Sequence, residues 1–111
     1  MYQYKAKLLN VVDADTVDML VDLGFYVGMK HRLRLYGINA PELNSTDPVQ
    51  RALAVQAKQF VLDTIKIGET YVIDTYKSDK YGRLLAEIWI ADGISLNEML
   101  VATGLADRYL K

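Results

Sequence analysis

A chain of 111 residues, 51% hydrophobic and 24% charged, is predicted to form one domain with a modest core, not a disordered tail. Its net charge of −1 excludes a broad basic surface that grips nucleic acid by counterion release, so any such contact must be local. The absence of cysteine rules out disulfides and thiolate metal sites, the lone His31 discourages a serine-protease-like triad, and no apolar run suits a signal peptide or a membrane span, which points to a cytoplasmic protein without a membrane partner.

The first forty residues alternate in the manner of antiparallel strands joined by turns. Asp13-Ala-Asp15-Thr16 precedes a strand in which Val17, Met19, Val21 and Leu23 are predicted to face inward. A turn region from Gly24 to Gly28 follows. In the next strand Leu33, Leu35 and Ile38 pack inward, which puts Arg32, Arg34 and Tyr36 on the opposite face. Lys30 to Arg34 forms one local cationic cluster, and Lys77 to Arg83 forms another.

Asp47 is a candidate N-cap with Pro48 at the first helical position, and Val49, Leu53, Ala57, Val61 and Ile65 recur behind it, widened by Phe60. Gly68 lies just past the end of that helix. Thr70 to Thr75 and Leu84 to Ile90 supply two more strands, with Tyr71 and Trp89 assigned to the strand core. Ser95-Leu-Asn-Glu98 opens a second helix as a capping box, and Gly104 is placed to close it. Five strands with a helix between the third and fourth define an α+β chain, mainly β. That order matches an OB-type Greek-key barrel and leaves other small α+β arrangements open.

Three blocks carry the chemistry. Asp13-Ala-Asp15-Thr16 offers carboxylates, Arg34-Leu-Tyr-Gly-Ile-Asn-Ala-Pro-Glu42 offers an arginine, an amide and a carboxylate stiffened by Pro41, and Asp79-Lys-Tyr-Gly-Arg83 offers a second arginine. Arginines clamp phosphate oxygens in pairs, carboxylates hold a hard cation, and one carboxylate remains to handle a water proton. Taken singly, each block reads as well as a β-turn, a solvated strand face or a surface loop.

Their order and spacing, together with Ser95 to Ala106, resemble the staphylococcal nuclease (thermonuclease) family from about Tyr4 to Ala106. The resemblance implies an SNase-like, five-stranded OB-type barrel with two helices across residues 1–111, and a calcium-dependent endonuclease of low specificity. Arg34, Glu42 and Arg83 fall on its catalytic positions, with Glu42 either taking the water proton or orienting a metal-bound water. Asp15, Asn39 and the carbonyl of Ala40 fall on its Ca2+ ligands, and Asp13 outside them. Lys80 and Tyr81 fall where the family contacts a terminal nucleotide phosphate, although a plain turn explains them equally well. Tyr109 lies near a nucleotide-stacking tyrosine, but the register after Ala106 does not assign it that role. The family implies DNA and RNA substrates, single strands favoured, and 3′-phosphate products.

Two departures matter. Asn39 stands where the family has an aspartate, which removes one formal charge from the cation site. Only Asp107 to Lys111 follows the second helix where the family continues into a third, which implies a compact variant, a shortened chain, or a surface covered by a protein partner or a second copy. A noncatalytic nucleic-acid- or protein-binding module on the same fold is the alternative reading.

Overall fold

The computed structural model describes residues 2–76 and 84–109. Five long strands form its frame: β1 (Tyr2–Asp13), β2 (Thr16–Asp22), β3 (Gly28–Leu35), β5 (Thr70–Tyr76) and β6 (Leu84–Ala91). Three two-residue strands, β4 (Ile38–Asn39), β7 (Ile94–Ser95) and β8 (Asp107–Arg108), join helices α1 (Pro48–Thr64) and α2 (Leu96–Ala102) to the frame. β1 pairs antiparallel with both β2 and β5, and β6 continues from β5. Parallel pairing of Leu33–Leu35 with Leu84–Ala86 joins β3 to β6 and closes the barrel, the five-stranded OB arrangement expected from the sequence. Register shifts at Leu8/Asn10 and Val11/Asp13 bend β1 so that it can serve two partners.

Alternation fills the interior with Leu8, Val17, Met19, Leu33, Leu35, Ile73 and Ile88, all buried. Ala57 and Val61 of α1 and Leu96 and Leu100 of α2 belong to the same core. Removing each large side chain among them from water contributes about 1.5–3 kcal/mol. Leu23 departs from the expected alternation: β2 stops at Asp22, and Leu23 is exposed at the hairpin tip. Ile38 is buried as expected, but from β4 rather than β3, because Gly37 (φ 79°) turns the chain between them.

The Asp47 cap is formed, its carboxylate accepting from Val49 N at 3.0 Å. The apolar stripe of α1 is only half used, since Ala54, Ala57, Val61 and Ile65 are buried while Val49 and Leu53 are exposed. Each four-residue step overshoots a full turn by about 40°, so a stripe of that spacing winds off the core-facing side. The Ser95 cap is formed too, with Glu98 N donating to Ser95 Oγ at 3.1 Å. The reciprocal half of the capping box is replaced: Glu98 instead accepts from both forks of Arg108, at 3.1 and 2.8 Å, and these hydrogen bonds first, with the Arg108 charge behind them, hold the Glu98 carboxyl below its usual range. Gly104 closes α2 at φ 77°.

Trp89 is not in the strand core. It pairs with Val72 on the face opposite buried Ile88, and its indole N–H donates to Asp74 Oδ2 at 3.0 Å. Tyr71 does pack against the core, with its hydroxyl accepting from Lys66 N at 2.8 Å. Buried Asn97 ties α2 to the barrel, donating to Tyr36 O at 2.9 Å and Ala86 O at 3.1 Å and accepting from Ile88 N at 3.2 Å.

At the β2–β3 tip, Leu23 N donates to Val27 O at 2.8 Å and Val27 N to Gly24 O at 2.9 Å. Phe25 (φ 53°) and Tyr26 (φ 62°) are the two central residues of that turn. Positive φ at both is the type I′ pattern, which ordinarily takes Asn-Gly. Bulky side chains in the left-handed region cost about 1–2 kcal/mol per residue.

Candidate active site

The tight β1–β2 turn presents Asp13, Asp15 and Thr16, and the β2–β3 ladder sets Thr16 directly across from Arg34. Leu35 N donates to Asp15 O at 2.8 Å, which locks the turn against the end of β3. Asp15 is only 4% exposed. Its Oδ2 accepts from Ala40 N at 3.0 Å, and its Oδ1 accepts from the Thr16 hydroxyl at 3.1 Å. A buried carboxylate needs such donors, because leaving it without partners is costly.

Those bonds bring the segment after β4 back over the turn. Asp13 adds a further tie, accepting from Leu43 N at 3.2 Å, so the main chain on both sides of Pro41-Glu42 hangs from the Asp13/Asp15 turn. Arg34 completes the corner. Its Nη2 donates to Asn39 Oδ1 at 2.8 Å and lies 3.7 Å from Asp15 Oδ2. One cationic nitrogen therefore addresses both side-chain oxygens that the sequence proposed as cation ligands.

Asn39, Ala40, Pro41, Glu42 and Gln50 line a polar cleft of about 460 Å³. Asp107 lines it as well, because β8 pairs with β4 and sets Asp107 opposite Asn39. Tyr109 N donates to Gly37 O at 2.7 Å and continues that attachment. Asp107 was missed in the sequence, where an exposed aspartate after a helix gives no signal; only the β4–β8 register brings it in. Asn97 was missed as a support for the strand end that carries Arg34, since it reads there as a capping-box interior residue.

The structure thus unites Asp13, Asp15, Arg34, Asn39, Ala40 and Glu42 in one region. Arg83, Lys80 and Tyr81 lie outside the described residues. Arg32 is directed elsewhere, holding Asp18 at 2.9 and 3.3 Å, and this pairing pulls the buried Asp18 carboxyl below its usual range. Tyr36 stacks on Tyr76 with ring centroids 4.0 Å apart.

Asp15 offers carboxylate oxygens and Asn39 an amide oxygen, donor types that hard cations take, and Arg34 Nη2 already places positive charge against both. Among the described residues, no three aspartate, glutamate or histidine side chains gather to hold a metal.

Comparison with known proteins gives a consistent result. The staphylococcal nuclease homologue pattern matches residues 32–111. An uncharacterized endonuclease of Escherichia coli is 28% identical over 93% of this chain and 60% of its own length. The thermonuclease of Staphylococcus intermedius is 31% identical over 87% of this chain and 55% of its own. A probable staphylococcal-like nuclease of Oryza sativa subsp. japonica is 34% identical over 72% of this chain and 22% of its own. The chain spans about 60% of the length of the Escherichia coli relative and less of the other two.

Proposed function

We propose that this chain, which belongs to the staphylococcal nuclease homologue family, is a calcium-dependent nuclease that hydrolyses phosphodiester bonds of DNA and RNA with little sequence preference. The observation that carries this reading is the convergence of Arg34 on Asn39 and Asp15 beside a cleft that also contains Glu42. A phosphate needs a planar cationic donor, a hard cation needs oxygen donors, and an attacking water needs a nearby carboxylate.

Arg34 and Arg83 bind the phosphate oxygens and stabilise the charge that builds on them as water attacks phosphorus. Glu42 accepts the water proton or orients the water. The P–O5′ bond breaks, the 5′ oxygen takes up a proton from solvent and leaves as a hydroxyl, and the phosphate stays on the 3′ oxygen of the other fragment. Asp15, Asn39 and the Ala40 carbonyl would hold Ca2+, with Asp13 outside them; when bound, the ion would add positive charge against the phosphate. Lys80 and Tyr81 receive a terminal phosphate. Single strands are favoured, since an open strand enters a barrel groove more easily than a duplex.

The noncatalytic binding module remains the second reading because Asn39 lowers the negative charge of the cation site. Hydrolysis of single-stranded DNA and RNA across a calcium titration separates the two. Turnover that needs calcium and collapses in Arg34→Ala, Glu42→Gln and Arg83→Ala supports the enzyme. Tight oligonucleotide binding by folded protein with no turnover at any calcium concentration supports the module.

A further inference from the structure

The β2–β3 hairpin carries a feature that the active-site cleft does not use. Phe25 and Tyr26 at its tip are 98% and 108% exposed, and their rings help no core. Tyr26 and Val27 share one surface depression of about 280 Å³ with Lys5, Lys7, Leu20 and Asp22. Strand register explains the grouping: Lys7, Leu20 and Lys30 are direct neighbours across β1, β2 and β3, on the face opposite buried Ala6 and Val21. Asp22 lines it too, its carboxylate accepting from Gly24 N at 2.8 Å, which leaves Lys5 and Lys7 facing one acid. The depression is therefore aromatic on one side and cationic on the other.

The same ladder leads to Arg34. Lys30, Arg32 and Arg34 occupy alternate positions of β3, opposite buried Leu33 and Leu35. Six residues of β2–β3 pairing separate Gly28 at the tip from Arg34 at the cleft, about 20 Å at a rise of ~3.3 Å per residue.

We propose that the hairpin tip and Lys5/Lys7 form a second nucleic-acid contact, in which bases of a single strand stack on Phe25 and Tyr26 while its phosphates lie against Lys5, Lys7 and Lys30. An exposed aromatic beside lysines in one depression suits a base and its phosphate. The contact rests on the nucleic-acid reading of the Arg34 cleft but not on turnover. It makes the protein grip strands long enough to span both places.

Fluorescence anisotropy in EDTA tests it with labelled oligothymidylates of roughly 3 and roughly 12 nucleotides, lengths below and within the usual site size of such barrels. The parent protein should bind the longer strand at least about tenfold more tightly. Phe25→Asn with Tyr26→Gly, a pair suited to the turn, should remove most of that preference, and Lys5→Gln with Lys7→Gln should flatten its salt dependence. An unchanged length preference in both variants overturns the proposal. So does loss of the preference only through a dimer-to-monomer change in the tip variant, or tip-dependent sedimentation with phosphatidylserine vesicles while oligonucleotide affinity stays fixed. Cleavage with no length preference would leave the nuclease standing without this contact; length-dependent binding without cleavage would leave the contact standing without the nuclease.

Discussion

Arg34 donates to Asn39 Oδ1 at 2.8 Å, and this single bond joins the residue proposed to bind phosphate to one proposed to bind a cation. An aspartate at position 39 would face the same guanidinium with a full charge and would offer a cation a stronger ligand. Asn39→Asp is therefore expected to lower the calcium concentration for half-maximal hydrolysis about tenfold, since affinity at oxygen sites follows ligand charge. A calcium titration of single-stranded DNA cleavage measures it; an unchanged midpoint would show that Asn39 is not a ligand.

Asn97 supplies the only side chain linking α2, β6 and Tyr36 in one hydrogen-bonded set among the described residues. Asn97→Leu should lower stability by about 1–3 kcal/mol, because the buried Ile88 N–H and the part-buried Tyr36 carbonyl lose their partner. Urea unfolding reads this directly. A loss below about 0.5 kcal/mol would mean that other groups replace the amide.

The strained tip makes a prediction of opposite sign. Replacing Phe25-Tyr26 by Asn-Gly should raise stability by about 1–2 kcal/mol, because those residues accept positive φ and no core packing is lost. A higher urea midpoint with an unchanged slope is the expected outcome; a lower one would mean that the rings support the fold.

The Asp18–Arg32 pair sets part of the acid limit. Asp18 is held below its ordinary range first by its hydrogen bonds to Arg32, so the folded state binds its proton less readily than the unfolded chain does. Its contribution is complete above the unfolded carboxylate range and is lost as pH falls through the depressed folded value. Asp18→Asn should therefore cost most stability near neutral pH and progressively less in acid. Parallel urea midpoints for parent and variant from pH 7 to pH 3 would contradict it.

Tyr76 gives an alkaline counterpart. Burial first, then the negative charge of Glu87, raises its phenol above the usual range. The folded state keeps that proton longer than the unfolded chain, so the contribution is complete below the unfolded tyrosine range and is lost as pH rises above it. Ultraviolet titration should show one phenol ionising late, and Tyr76→Phe should abolish that step.

Periodicity, caps and turn residues made the elements legible: the succession of strands along the chain, both helix starts and the close of α2 follow from local rules, while the barrel itself came from the resemblance. Where those rules failed, three-dimensional packing had decided. Val49 and Leu53 share a stripe with Val61 in the sequence but wind away from the core. Trp89 has the apolar bulk of a core residue, yet strand parity puts it beside Asp74. Glu98 sits at the capping-box position but turns to Arg108, which only the return of β8 brings near.

The candidate site divides in the same way. The residue types in Asp13–Asp15, Arg34–Glu42 and Asp79–Arg83 determined by themselves only which donors and acceptors each block offers, because carboxylates, an amide and guanidinium groups have fixed capacities, and the resemblance supplied the roles. Only the tertiary structure decided that Asp15 holds Ala40 N, that Arg34 reaches Asn39 and Asp15 together, and that Asp107 faces the same cleft as Glu42. Composition and local spacing specify what each side chain can bind. Which of them meet depends on strand register and barrel closure, which bring together residues far apart along the chain.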